Sequence, residues 1–176
     1  MKKIILFFTF VFALCVTTNA QSLVPRSFDF LRGQTNLGIT IDMTGTTIDG
    51  TAMKSYLELN LSKDENVEEW MKKSNAELTE ELVFAFNKTM RKKKCGLNSI
   101  RVDSFNYQAT VKAVSFTKKG DLDAVVTFTK VGSDEVLARV ALKGNGGKFS
   151  SLNNLMGDGC KDAGTKLAKM LEVYLK

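Results

Sequence analysis

The chain contains no histidine and only 1 proline in its 176 residues. Without imidazole there is no Ser-His-Asp triad, no Cys-His pair, no histidine metal ligand and no imidazole switch near neutral pH. Average usage would put about nine prolines in a chain of this length, so a proline-rich linker or tail is excluded. Cysteine is scarce too. Cys15, Cys95 and Cys160 show no CxxC spacing, which argues against redox catalysis and a zinc site. What is present is ordinary for a globular chain: 44% hydrophobic residues, enough for one core, and 25 Lys+Arg against 19 Asp+Glu.

The N-terminus explains part of that basic surplus. Met1-Lys2-Lys3 is a basic start, Ile4 to Val16 an apolar run, and Thr17-Thr18-Asn19-Ala20 a small polar end. This is the layout of a secretory signal over residues 1–20, with cleavage expected after Ala20. The apolar run falls short of the roughly 20 residues that a membrane span needs. Lipidation at Cys15 is the weaker reading, because Leu14 precedes it rather than a small residue. Without residues 1–20 the chain keeps 156 residues, and its charge falls from +6 to +4 because the leader holds Lys2 and Lys3 and no acid. The protein is expected to be exported, periplasmic or extracellular, with outer-membrane association as a variant, and without a transmembrane segment after cleavage.

Residues 21–35 show no period and hold Pro25, so a loosely packed segment is expected there. One domain is expected over 36–176. Leu37, Ile39, Ile41 and Met43 alternate with polar or small residues, the mark of a half-buried strand, and Gly45 to Gly50 reads as a turn. Residues 51–61 fit either a short helix or an extended stretch. Ser62-Lys63-Asp64-Glu65 fits a capping box at the start of a long helix. Acids come first (Asp64, Glu65, Glu68, Glu69), bases last (Lys88, Arg91, Lys92, Lys93, Lys94), and Gly96 is placed to stop it. A break near Ser74-Asn75 is expected to relieve its length.

Three alternating segments follow, over 105–116, 122–128 and 136–142. A change of parity at Ala113-Val114 predicts a bulge, and the short connections predict an antiparallel meander. A glycine-rich loop, Gly144 to Gly147, leads to a last helix capped by Ser150 or Ser151. Its glycines 157, 159 and 164 are read as contact points for close packing on the sheet. Lys161, Lys169, Glu172 and Lys176 are expected on its outer side.

Three candidate sites emerge. Gly146, Gly147 and Lys148, ahead of a helix, suggest an anion-binding loop, although the spacing fails the Walker A pattern and a plain strand-to-helix turn is the rival reading. Lys88, Arg91, Lys92, Lys93, Lys94 and Arg101 form a cationic run, read either as dipole complementation or as a patch for anionic lipid or polysaccharide. No nucleic-acid motif accompanies it. Cys95 and Cys160 could pair as a disulfide in an oxidising compartment or remain free thiols. Neither metal nor cofactor is indicated.

Gly38 to Gly45 with Ile48-Asp49-Gly50, the helix containing Trp70, and the ending Gly144 to Phe149 with Asn154 to Gly159 and Ala163-Gly164 together resemble small secreted proteins of unknown function from anaerobic Gram-negative gut and oral bacteria. In element order these are similar to TolB N-terminal-like envelope accessory domains. The resemblance implies an α/β domain and carries no catalytic residues. The fold expected is an α/β (α+β) two-layer sandwich in the order β-α-β-β-β-α. It has about four mainly antiparallel strands and two helices on one face. The function expected is non-enzymatic binding of an envelope protein. A ligand, lipid or surface-glycan binder is the alternative, and a carboxylate-dependent hydrolase is less favoured.

Overall fold

The computed structural model describes residues 27–99 and 105–176. The leader, Pro25, Ile100, Arg101 and Val102 lie outside the described residues. β1 (Asn36–Asp42) forms where the alternation predicts it, with Leu37, Ile39 and Ile41 buried. A small hairpin follows, β2 (Thr47–Ile48) and β3 (Thr51–Ala52). Asp49 and Gly50 turn it with left-handed φ of 46° and 80°, as two-residue hairpin loops require. Residues 53–60 are helical (α1, Met53–Asn60).

The long helix α2 (Val67–Lys92) begins later than the capping-box reading implies. The Asn66 side chain accepts from the N–H groups of Glu68 and Glu69, at 2.9 and 3.0 Å, and is the cap. The Ser62–Glu65 pair does form, through the Ser62 hydroxyl and N–H, but in the turn ahead of the helix. No break occurs at Ser74-Asn75. Ser74 is buried, and Thr79 bonds back to the Asn75 carbonyl while accepting from the N–H of Ile41 on β1. The helix therefore continues because this stretch packs on the sheet. At its far end Lys94, not Gly96, takes the left-handed conformation (φ 56°), and the Cys95 N–H donates to the Met90 carbonyl.

β4 (Asn98–Ser99), β5 (Tyr107–Phe116), β6 (Leu122–Lys130) and β7 (Val136–Gly144) complete the sheet. β5, β6 and β7 form the antiparallel meander, and the bulge falls between Ala113 and Ser115. The sheet is larger and more mixed than four antiparallel strands: seven strands among the described residues, with β5 at its centre. β6 runs along one side of β5, while β1 and then β2 lie end to end along the other, both parallel to it. The parallel pairing follows from the connection, because a chain that crosses back through α1 and α2 returns in its original direction. β2, β3 and β4 have two residues each, too few to show a period.

The last helix, α3 (Leu152–Leu175), is capped by Ser151. It packs beside α2 over one face of the sheet, and one core lies between the layers. Close approach depends on glycine here: a Cβ on Gly144 of β7 would sit 1.9 Å from the Gly159 carbonyl oxygen of α3. Two expectations about residues in the core change. Phe28 and Leu31, around a short turn of helix at Asp29–Leu31, are buried, so the second half of the 21–35 segment is packed rather than loose. The Phe28 ring lies against Phe128 of β6 and Tyr174 at the end of α3, and Leu31 borders a small cavity with Leu175. Glu172 is also buried rather than outward, held by Lys93 at 3.5 Å and by Lys176.

Candidate functional site

α2 and α3 run side by side in the same direction. Asn153 donates to Glu77, Lys161 pairs with Glu81 at 3.3 Å, and Lys93 pairs with Glu172, so position along one helix rises with position along the other. The sheet accounts for this, since α2 returns the chain against the direction of β1 and α3 against that of β7, and β1 and β7 both run parallel to β5. A groove runs along their outer surface. Its first part is a cleft of about 800 Å³ with Glu77, Glu80, Glu81, Asn153 and Asp158 on its walls. Its second part is a cleft of about 590 Å³ walled by Lys88, Lys92, Lys93, Lys161 and Lys169. Phe84 and Lys161 belong to both parts. Phe84 is 58% exposed at the junction, and Phe149 is exposed at the acidic end.

The groove is therefore acidic at one end, basic at the other and aromatic in the middle. α2 starts acidic (Glu68, Glu69) and ends basic (Arg91, Lys92), the arrangement its own dipole favours, whereas α3 has no acid in its first turn and no base in its last. Because the helices are parallel, Asp158 of α3 joins the acidic end of α2 and Lys169 joins the basic end. Lys161 spans the acidic walls, 3.3 Å from Glu81 and 3.6 Å from Asp158. Among the described residues, no ion pair engages Lys88, Arg91 or Lys92.

The cationic run read from the sequence thus has Lys88, Lys92 and Lys93 on the groove. Lys94 and Arg91 are exposed beside it, and Arg101 lies outside the described residues. Sequence reasoning missed Lys161 and Lys169, which come from a helix about 70 positions further on. Of the two readings of Cys95 and Cys160, the structure has the free thiols, and the two residues do not meet. Cys95 borders a small cavity with Leu175, while Cys160 lies fifteen residues earlier on α3. At the helical rise that is about 22 Å, far beyond disulfide reach. Burial, with the Glu81 charge adding to it, pushes the Cys160 thiol up to about 12. Thiol titration of the leader-free protein should find one reactive group in the native state and two in denaturant. Finding none in denaturant without reductant would show a bridge.

The anion-binding loop already holds anions, and they are the chain's own. The Gly146 N–H donates to Asp121 at 2.8 Å and the Asn145 N–H to Asp162 at 2.8 Å. A Cβ on Gly147 would lie 2.5 Å from an Asp158 carboxylate oxygen, and Lys148 is exposed. The Gly146 N–H and the Thr117 hydroxyl hold the Asp121 carboxyl below its ordinary range. At Asp162 burial pushes upward, but Lys166 and the Asn145 N–H outweigh it and the carboxyl is lowered. The loop is a latch between β7, the β5–β6 turn and α3, and the external-anion reading falls.

The sheet's open face is polar, with Thr40, Gln108, Thr110, Thr127 and Thr129 pointing away from the helices. Phe105 covers Gly38, where a Cβ would lie 2.4 Å from its ring. Asp42 on this face bonds to Lys112 Nζ at 2.8 Å and to the Thr44 N–H. The lysine bond chiefly lowers its carboxyl from 3.8 to about 2, against an opposing desolvation by burial. A depressed folded-state value stabilises the fold above the unfolded value and is lost as the carboxylate protonates. Stability should therefore decline as pH falls from about 4 toward 2, and Asp42→Asn should flatten that slope in urea titrations. An unchanged slope would remove Asp42 from the acid response.

No family model and no curated protein matches the chain. Among solved structures, a crystal structure of an uncharacterized protein is similar at 8% identity, with a TM-score of 0.42. It covers 77% of this chain and 89% of that one.

Proposed function

We propose that the protein is an exported, non-enzymatic domain that binds a protein partner in the bacterial cell envelope through the α2–α3 groove. The observation that carries this reading is the two-signed charge around Phe84: Glu77 and Glu80 on one side, Lys88 and Lys92 on the other. An anionic lipid or polysaccharide would be drawn to the lysines and repelled by the glutamates beside them. A protein surface can match both signs at once, and charge complementarity of this kind fixes partner and register. An exposed aromatic at the centre is the usual anchor of such a surface.

Export rests on the leader, Met1 to Ala20, and the envelope on that leader together with the resemblance noted above. The non-enzymatic part rests on the missing histidine and on how the groove's acids are used. Lys161 stands between Glu81 and Asp158 and pairs with both, where a hydrolase would hold the bond to be cleaved. Photo-crosslinking in cells tests the reading, with Phe84→p-benzoylphenylalanine on the groove and Thr127→p-benzoylphenylalanine on the open sheet face. A protein adduct from position 84 and none from 127 is expected. Adducts to lipid or polysaccharide alone, equal adducts from both positions, or none from 84 would overturn it.

A further inference from the structure

We infer that the partner seated on this groove is a second copy of the chain, related by a two-fold axis through Phe84. The inference rests on the protein-binding reading above and names its partner. Glu80 lies four residues before Phe84 and Lys88 four after it; Glu77 lies seven before and Arg91 seven after. Offsets of four and seven keep a residue on the same helix face. A two-fold axis perpendicular to α2 reverses the helix direction. It places Glu80 opposite the copy's Lys88 and Glu77 opposite the copy's Arg91, with the two Phe84 rings on the axis. α3 extends the same pattern, because Asp158 lies at the acidic end of the groove and Lys169 at the basic end. A surface whose charge inverts about its own centre is complementary to itself, the condition for a closed two-fold dimer.

The available area is sufficient. α2 has 26 residues, so at the helical rise the face is about 39 Å long. Two helices side by side are about 20 Å wide, giving roughly 800 Å² per copy, the size of a standard stable interface. Lys88 and Arg91, which no ion pair engages among the described residues, would gain carboxylate partners.

Sedimentation equilibrium on the purified protein tests this with four samples: wild type, Glu80→Lys, Lys88→Glu and the double variant. Wild type is expected to be a dimer that weakens with salt. Each single variant should weaken dimerisation by at least about tenfold, because two like-charged pairs then face each other. The double variant should restore it, and mixing the two single variants should give a heterodimer, since both of its pairs are again opposite in sign. Both positions are exposed, and unchanged thermal melts will show that the variants fold. A wild type that stays monomeric, a dimer that ignores both single changes, or no recovery in the double variant would overturn the inference. If the protein is monomeric while position 84 still crosslinks to a different protein, only this inference fails. If position 84 yields no protein adduct, the binding reading fails with it.

Discussion

Phe28→Ala is expected to lower stability by about 3–5 kcal/mol, the usual cost of emptying a buried phenylalanine site. For a chain of this size that is a fall in Tm of about 6–20 °C. Phe28 is 1% exposed. Its ring centroid lies 5.2 Å from that of Phe128, edge to face, and 5.0 Å from that of Tyr174. It thus joins the sheet to the end of α3, and its loss leaves a void between two layers that cannot both close on it. Urea unfolding of the leader-free protein reads the effect. A loss below about 1 kcal/mol would mean that the segment before β1 is an attachment and not part of the core.

Gly164→Ala and Gly157→Ala are expected to have opposite signs although both lie in α3. Helix propensity alone would credit each with a gain of up to about 1 kcal/mol. At position 164 the added Cβ would meet the Leu82 carbonyl oxygen at 2.2 Å, and that atom is backbone of α2, which cannot swing aside. The helices must separate, and a net loss of about 2 kcal/mol is expected. At position 157 the nearest atom is Glu81 Cγ at 3.8 Å, an ordinary contact at the end of a flexible side chain, so the gain should appear. Thermal melts of the two variants provide the comparison. A Gly164→Ala protein as stable as wild type would remove the close crossing of α2 and α3.

Much of the fold was legible in the sequence because burial on one face leaves a period in the chain. The alternations around Ile39, Val111, Val126 and Val140 marked the strands, and the slip at Ala113-Val114 marked the bulge. The two long helices were visible from their stripes and the charges at their ends. What left no period was missed: strands of two residues, and Phe28, which is buried within a three-residue helical turn. Caps were legible in kind but not in place. Ser62–Glu65 and Gly96 satisfy the composition rules, yet Asn66 is the N-cap, Lys93 the C-cap and Lys94 the left-handed residue after it, because packing of α2 on the sheet sets where the helix starts and stops. The glycine loop marks a strand-to-helix turn whose N–H groups can take negative charge. That Asp121 and Asp162 supply it depends on contacts 25 and 17 residues apart in the chain.

Composition and local repeats were enough for the absence of histidine chemistry, the meander, the presence of the two long helices and the acid-to-base gradient along α2. Each is a local property, set by composition or by a repeat within a few turns. Only the tertiary structure decided that β1 pairs parallel to β5, that Cys95 and Cys160 lie far apart, and that α2 and α3 point the same way. The last of these matters most for function. Antiparallel helices would have set acid beside base and cancelled the charge, whereas parallel helices add Lys161 and Lys169 to Lys88, Lys92 and Lys93 and give one groove with two signs. Direction in space is a relation between distant segments, fixed by the parallel course of β1 and β7 against which the two helices return, and no local pattern encodes it.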